Sequence, residues 1–387
     1  MGSGHGEEQG PQGSVPVRAL RVSHSGVVDA WREREVELGR AGIDVTLVTA
    51  SSWDELGRRL DCEPRPGEAV VGVRTWGRHP ALFVYDPRPI WKLLRHRPGF
   101  DVVDAHEEPY SLAVAEVRLL RWLSGRSRRA PLLLYSAQNI SKRYPWPIRR
   151  LERGALRTAA AVYPCSTGAA EVLRQKGYRG VVRVIPLGVD VDRFTPGPVT
   201  ADDDVVRPGL RMAYAGRLVA EKGVDVVLQA MAAEPGWHLD VLGTGPQQDG
   251  LQARAAELGV AARVTFRGAV SQDDLPDAYR RADVLVVPSL LTPAWTEQFC
   301  RVAVEAMACG VPVVASAVGS LPEVVADGGI LVPPGDPDAL REALRGLADD
   351  DGLRRKLGAA GRDRVRGWAS WPAVAAEHAG LYREVLG

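Results

Sequence analysis

Residues 288–323, PSLLTPAWTEQFCRVAVEAMACGVPVVASAVGSLPE, decide the fold, because strand, loop, helix and strand signals coincide there with two acids. The apolar run VLVVP at 284–288 predicts a buried strand, followed by a loop that opens a helix over Phe299–Ala308. Gly310 and Pro312 stop that helix before a second strand, VPVVAS at 311–316. The result is a βαβ unit with Glu297 and Glu305 at its two ends. On one continuous helix these acids would lie about 80° apart around the axis, on different faces. With Glu297 in the loop and Glu305 on the helix, the carboxylates are at most about 12 Å apart by helical rise, the length of a sugar, a diphosphate and a ribose. The helix N-terminus between them offers free N–H groups and the positive end of a dipole, where phosphate binds. The stretch therefore predicts a nucleotide-sugar cradle; the plainer reading is two acids that complement a helix dipole.

The chain has 387 residues, 45% of them hydrophobic and 25% charged, which is a globular composition with room for two or three cores, two being the simplest count. A net charge of +1 argues against nucleic acid or a uniformly anionic surface as the main partner. Cys62, Cys165, Cys300 and Cys309 show no C-x-x-C spacing, so neither a zinc site nor a disulfide framework is expected, and a reducing cytoplasm is the default location. Residues 1–15 lack an apolar core and read as a disordered tail rather than a signal peptide. No stretch reaches the roughly 18 apolar residues needed to span a bilayer, so the protein reads as soluble or at most peripheral at the inner membrane surface.

In chain order, VRALRVS at 17–23 predicts a strand, SHSG at 23–26 a turn, Val27–Arg40 a helix and IDVTLVTA at 43–50 a second strand, the start of a doubly wound α/β domain. AVVGVRTW and ALFVY add strands between Pro-rich loops. In DVVDAHEEP a strand ending near Val103 carries His106 to the crest of a parallel sheet, where ligands bind; its alternative is an unliganded loop His beside Glu107 and Glu108. The segment 141–157 sets arginines beside Tyr144 and Trp146, which could rest on anionic lipid, grip an acidic acceptor or be a solvated helix face. Ser166 is placed to cap the helix after the strand AAVYP and also to line a cleft. VRVIPLGVDVDRFTPG at 182–197 reads as a strand, a turn and an exit into an acidic, Pro-containing linker at 196–209, with the domain boundary near 200.

The second domain opens with LRMAYAGRLVAEKG, a strand ending at Ala215 followed by Gly216, Arg217 and Lys222; two cations on such a loop can neutralise a diphosphate leaving group. GTG at 243–245 is a glycine turn after another strand. The tail from 366 reads as a helix interrupted by Pro372.

Glu297-x7-Glu305, the GRL and EKG of 216–223, the GTGP of 243–246 and VIPLGVD of 184–190 together resemble the E-x7-E retaining glycosyltransferases, the large class that includes sucrose, mannosyl and glycogen synthases. The resemblance covers almost the whole chain. It implies the GT-B fold, two Rossmann-like domains facing across a cleft: a tail at 1–15, an acceptor-side domain at 16–199, a nucleotide-sugar domain at 200–365 and a crossover helix at 366–387 that returns to the first domain. It implies transfer of a hexosyl group from a nucleotide-diphosphate sugar of UDP or GDP type to a glycan, lipid-linked or small-molecule acceptor, with retention, no cofactor and no metal. His106, Arg217, Lys222 and Glu297 would be catalytic, Glu297 and His106 orienting the sugar and the two cations stabilising the departing phosphate. Gly216, Gly243, Gly245, Phe299, Cys300, Arg301 and Glu305 would complete the donor site, Glu305 at the ribose and Gly268 and Val270 at the base; Gly26, Asn139 and Ser166 are the acceptor-side candidates. The chain departs from the family at Cys300, where glycine is usual, at Asp104, where a second His is usual, at Ser320 in a glycine pair, and in a first loop that keeps only Gly26. These departures leave a catalytically silent nucleotide-sugar-binding scaffold as the alternative. A dinucleotide dehydrogenase would need G-x-G-x-x-G after the first strand, and SHSGVV lacks it.

Overall fold

The structure, a computed structural model, describes residues 16–55, 58–77, 79–197 and 209–387. The expected tail at 1–15 and most of the 196–209 linker, with the boundary near 200, lie outside the described residues.

Two wholly parallel sheets dominate. The first has seven strands in the order Val181–Val182, Ala161–Pro164, Leu132–Ser136, Val102–Ala105, Val17–Val22, Ile43–Ala50, Val70–Val73. The second has six, in the order Val264–Gly268, His238–Leu242, Arg211–Ala215, Val284–Val287, Val313–Ser316, Gly329–Val332. Parallel neighbours require crossover connections, and helices on both faces bury the strands, which is why runs such as VLVV and the VVA of Val313–Ser316 are continuously apolar. Each sheet reverses its winding beside its first strand: between Val17–Val22 and Val102–Ala105 in one, and between Arg211–Ala215 and Val284–Val287 in the other. Ligands bind at the carboxyl ends of strands at such switch points.

The last helix, Trp371–Leu386, leaves the second domain and packs on the first, where Trp371, Val374, Ala375 and Tyr382 share a core with Ala19, Ile43, Val102 and Leu133. Pro372 does not interrupt it. The proline stands in the first turn, where its missing N–H has no partner to lose, after Ser370 caps the helix through the Ala373 N–H. The preceding helix, Asp351–Trp368, ends separately.

Two further expectations are corrected. The predicted helix Val27–Arg40 is two 3₁₀ turns, His24–Val27 and Asp29–Arg32, before a helix at Glu33–Arg40. The loop is pinned to the sheet: a Cβ on Gly26 would lie 2.9 Å from Leu47 Cδ2, and the His24 N–H donates to Glu107 Oε1. The predicted helix Phe299–Ala308 begins at Arg301, because Phe299 and Cys300 turn into the core and Cys300 keeps a non-helical backbone.

Candidate functional site

At the second domain's switch point the glycines bring three loops into backbone contact. Gly216 and Gly243 have φ of 150° and 141°, and a Cβ on Gly243 would lie 1.9 Å from the Gly216 carbonyl oxygen. A Cβ on Gly245 would lie 2.3 Å from the Leu218 carbonyl oxygen, and the Gly243 N–H donates to the Gly268 carbonyl at 2.7 Å. Gly216, Gly243, Gly245 and Gly268 thus form one crest of half-buried backbone; Val270 packs against the core beside it.

Lys222 ends a short 3₁₀ turn, Ala220–Lys222, fastened to the neighbouring strand end by the Leu290 N–H donating to the Glu221 carbonyl at 2.8 Å. Its ammonium donates to Glu297 Oε2 at 2.6 Å and lies 4.9 Å from the centre of the Trp295 ring. Ser289 Oγ donates to the same oxygen at 2.9 Å. The Glu297 carbonyl accepts from the Ser320 N–H at 3.0 Å and, from the first domain, from Asn139 Nδ2 at 2.6 Å. Gly319, with φ of 55°, is required: a Cβ there would meet that carbonyl oxygen at 2.1 Å. Ser320 has an ordinary backbone, so the departure from a second glycine asks nothing unusual of it.

Glu305 is buried; Tyr279 OH donates to its Oε2 at 3.0 Å, and Arg301 Nε lies 4.0 Å from its Oε1. Burial raises its pKa, against the pull of Arg301 and Tyr279. The Cys300 thiol faces the hydrophobic core; burial pushes it up to about 12 and keeps it neutral. Phe299 is buried against Trp368. Arg217 is exposed at the crest and pairs with no carboxylate among the described residues. Arg301 reaches to the first domain, its guanidinium 4.8 Å from the centre of the Trp31 ring and 3.4 Å from the Gly188 carbonyl oxygen.

At the first domain's switch point lies a cavity of about 340 Å³, walled by Gly26, Trp31, Arg34, His106, Tyr110 and Trp371, with Arg301 closing it from the second domain. His106 is half-buried and stacked on Tyr135, the ring centres 4.1 Å apart. Its Nδ1 lies 3.0 Å from Arg21, a group that can only donate, so Nδ1 accepts and the neutral ring carries its proton on Nε2. Burial, with Arg34 and Arg21 nearby, holds its pKa well below the usual imidazole value. Asp104, read from the sequence only as a missing His, is the anchor of this arrangement. It is fully buried, opposite Arg21 in the strand register, pairs with it at 2.6 Å, and accepts from Tyr163 OH and Tyr382 OH at 2.5 Å each. Arg21 and Asp104, two charges inside apolar strands, were the available signal.

Glu107 is not a solvated loop acid: it accepts from the His24 N–H at 2.7 Å, sits 2.8 Å from His24 Nδ1 and accepts from Tyr85 OH at 3.1 Å. Glu108 accepts from Ser136 and the Ala137 N–H, and burial pushes its pKa up to about 7. Ser166 caps the helix Thr167–Gln175 and does not line the cavity, whereas the neighbouring Thr167 donates to Glu323 of the second domain. Asn139 joins the Glu297 loop rather than the cavity wall. Among the described residues no group of three or more His, Cys, Asp or Glu is arranged to hold a metal ion, and no helix is long and apolar enough to cross a membrane.

Residues 208–364 match the model of the glycosyl transferases group 1, and residues 26–193 match that of Glycosyltransferase Family 4. The D-inositol 3-phosphate glycosyltransferase of Streptomyces avermitilis is 34% identical over 324 residues, covering 75% of this chain and 67% of that one. The sucrose-phosphate synthase of Thermosynechococcus elongatus superposes with a TM-score of 0.71 at 24% identity, over 95% of this chain and 99% of that one. HepE of Anabaena in complex with UDP does so with a TM-score of 0.68 at 19% identity, over 95% and 100%. Two parallel-sheet domains, a cleft between their switch points and a helix that crosses back make the GT-B architecture, and with these matches the chain belongs to the family 4, group 1 glycosyltransferases.

Proposed function

We propose that the protein transfers a hexosyl group from a nucleoside-diphosphate sugar of UDP or GDP type to an acceptor hydroxyl, with retention of configuration and without a metal ion. The observation that carries this reading is Lys222, fixed between Glu297 and Trp295 on the loop that follows the first strand of the second sheet. An ammonium has three donors, so Lys222 can keep its bond to Glu297 and still meet a diphosphate. Arg217, exposed on the same crest, is the second cation, and together they stabilise charge as it develops on the leaving phosphate. Lys222 and Ser289 both engage Glu297 Oε2, which leaves Oε1 for the sugar hydroxyls. Glu305, held by Tyr279, is the ribose ligand, and the Nε2–H of His106 donates to the sugar. The departing phosphate takes the acceptor proton on the same face.

The acceptor occupies the first-domain cavity, where Trp31, Tyr110 and Trp371 offer faces for a sugar or polyol ring and Arg34 and Arg301 suit a phosphate attached to it. The curated relative, named for an inositol phosphate, fits that chemistry. The test is a thermal-shift screen of UDP, GDP, ADP and dTDP with their common sugars, followed by donor hydrolysis in the presence of a chelator. A shift with one nucleotide, and sugar release that Lys222→Ala abolishes, supports the reading. A shift without release, with acceptors present, replaces it with a silent binding scaffold; release that the chelator stops refutes metal independence.

A further inference from the structure

Residues 112–158 carry charge out of proportion to a chain whose net charge is +1. Nine Lys and Arg between 126 and 157 are exposed, and none is in an ion pair among the described residues. The two acids of the segment are withdrawn: Glu152 is buried against Lys176, and Glu116, half-buried, accepts from the Tyr85 N–H. Large apolar side chains stand out of the same region. On the helix Leu112–Leu123, Leu119, Trp122 and Leu123 are 55%, 56% and 50% exposed and, at three- and four-residue spacing, share one face. On the helix Trp146–Thr158, Trp146 is 64% exposed and heads a stripe with Arg149, Arg150, Arg153 and Arg157.

The two helices lie side by side. Arg118 Nε donates to Thr158 Oγ1 at 2.8 Å, and Gly154 leaves room for the Arg118 guanidinium. Rings and guanidiniums mix on the face, Arg128 at 5.8 Å from the Trp122 ring centre and Arg150 at 5.9 Å from that of Trp146. The face also borders the cavity. Tyr110 lines the cavity, precedes the capping residue Ser111 of the first helix, and packs at 4.6 Å against Tyr144, two residues before Trp146.

We infer that this face docks on an anionic lipid bilayer, with Trp122, Trp146 and the two leucines entering the headgroup boundary and the arginines binding lipid phosphates. Tryptophan and arginine side by side suit that boundary, where a ring is half wet and a cation finds anionic headgroups. An acidic polymer would satisfy the arginines but give Leu119 and Leu123 nothing to bury against. Given the reading of the cavity as the acceptor site, docking holds its mouth near the bilayer, so the acceptor is collected at the membrane.

The experiment is co-sedimentation of the full chain with vesicles of phosphatidylcholine alone or mixed with phosphatidylglycerol, at low and high salt. Binding is expected only to the anionic vesicles and is expected to weaken with salt. It should fall by roughly tenfold or more in Arg149→Glu/Arg150→Glu/Arg153→Glu and in Trp122→Ser/Trp146→Ser, all surface changes, while donor hydrolysis in solution stays unchanged. Equal binding to neutral vesicles, or anionic binding indifferent to both variants, overturns the inference. Retention on heparin that matches anionic vesicles and ignores the tryptophans overturns it in favour of an acidic polymer. Vesicle binding needs no turnover, so failure of the transferase reading and failure of docking are read separately.

Discussion

Lys222 and Glu297 are mutually dependent, the ammonium meeting the carboxylate at 2.6 Å with side chains only 18% and 9% exposed. Lys222→Ala is expected to lower turnover by about two to three orders of magnitude through the lost charge at the leaving group. It should also destabilise the protein by about 1–3 kcal/mol, because Glu297 is left with Ser289 alone. Adding Glu297→Gln should recover stability but not turnover, a pattern that unfolding midpoints and donor hydrolysis together can check. Glu305→Ala should weaken nucleotide-sugar binding with a smaller effect on turnover at saturating donor, readable by calorimetry. Gly319→Ala combines a left-handed backbone with a Cβ 2.1 Å from the Glu297 carbonyl oxygen. It should cost about 1–3 kcal/mol and displace Glu297, and wild-type activity in that variant would refute the assignment of this turn as its support.

At the scale of elements, the crossover helix does more than cover the first domain. Tyr382 is one of three donors on the buried Asp104, whose partner Arg21 in turn holds His106. Tyr382→Phe is expected to lower stability by about 1–2 kcal/mol. Asp104→His should destabilise by about 3 kcal/mol because it leaves the buried Arg21 guanidinium with Glu35 alone and removes the acceptor of Tyr163 and Tyr382. The loop carrying Glu108 sets a pH dependence. Its folded pKa of about 7 is above the ordinary 4.5, so the folded state holds the extra proton and its contribution to stability declines as pH rises between those values. His106 has the opposite sign on its own range: its lowered pKa makes stability fall as pH drops below about 6.5. Melting curves of Glu108→Gln against wild type should converge at low pH and separate above pH 7 in favour of the variant; parallel curves would refute the buried, proton-holding carboxyl.

Across the whole molecule the polar contacts between the two domains include Asn139 on the Glu297 carbonyl, Thr167 on Glu323, Arg193 on Asp273, and Arg301 against Trp31 and Gly188. Asn139→Ala is expected to weaken nucleotide-sugar binding by about two- to tenfold, the value of one hydrogen bond, with little change in melting temperature. Much of this molecule was legible in one dimension. Continuous apolar runs and glycine stops predicted parallel α/β domains, and Gly216, Lys222, Glu297 and Glu305 were singled out in the sequence because loop glycines and strand ends are local features. What was misread depended on partners far along the chain. The Gly26 loop became 3₁₀ because Glu107 and Leu47 hold it, Asp104 looked like a loss until Arg21 and Tyr382 came beside it, and Asn139 gained its role from the other domain. By itself the sequence determined most elements, the sheet class and the glycine crest, since backbone preference and burial period act between neighbours. Only the tertiary structure decided which buried charges pair, which tautomer His106 holds and where the two domains touch, because those contacts join residues up to 361 positions apart that meet only once the chain has closed.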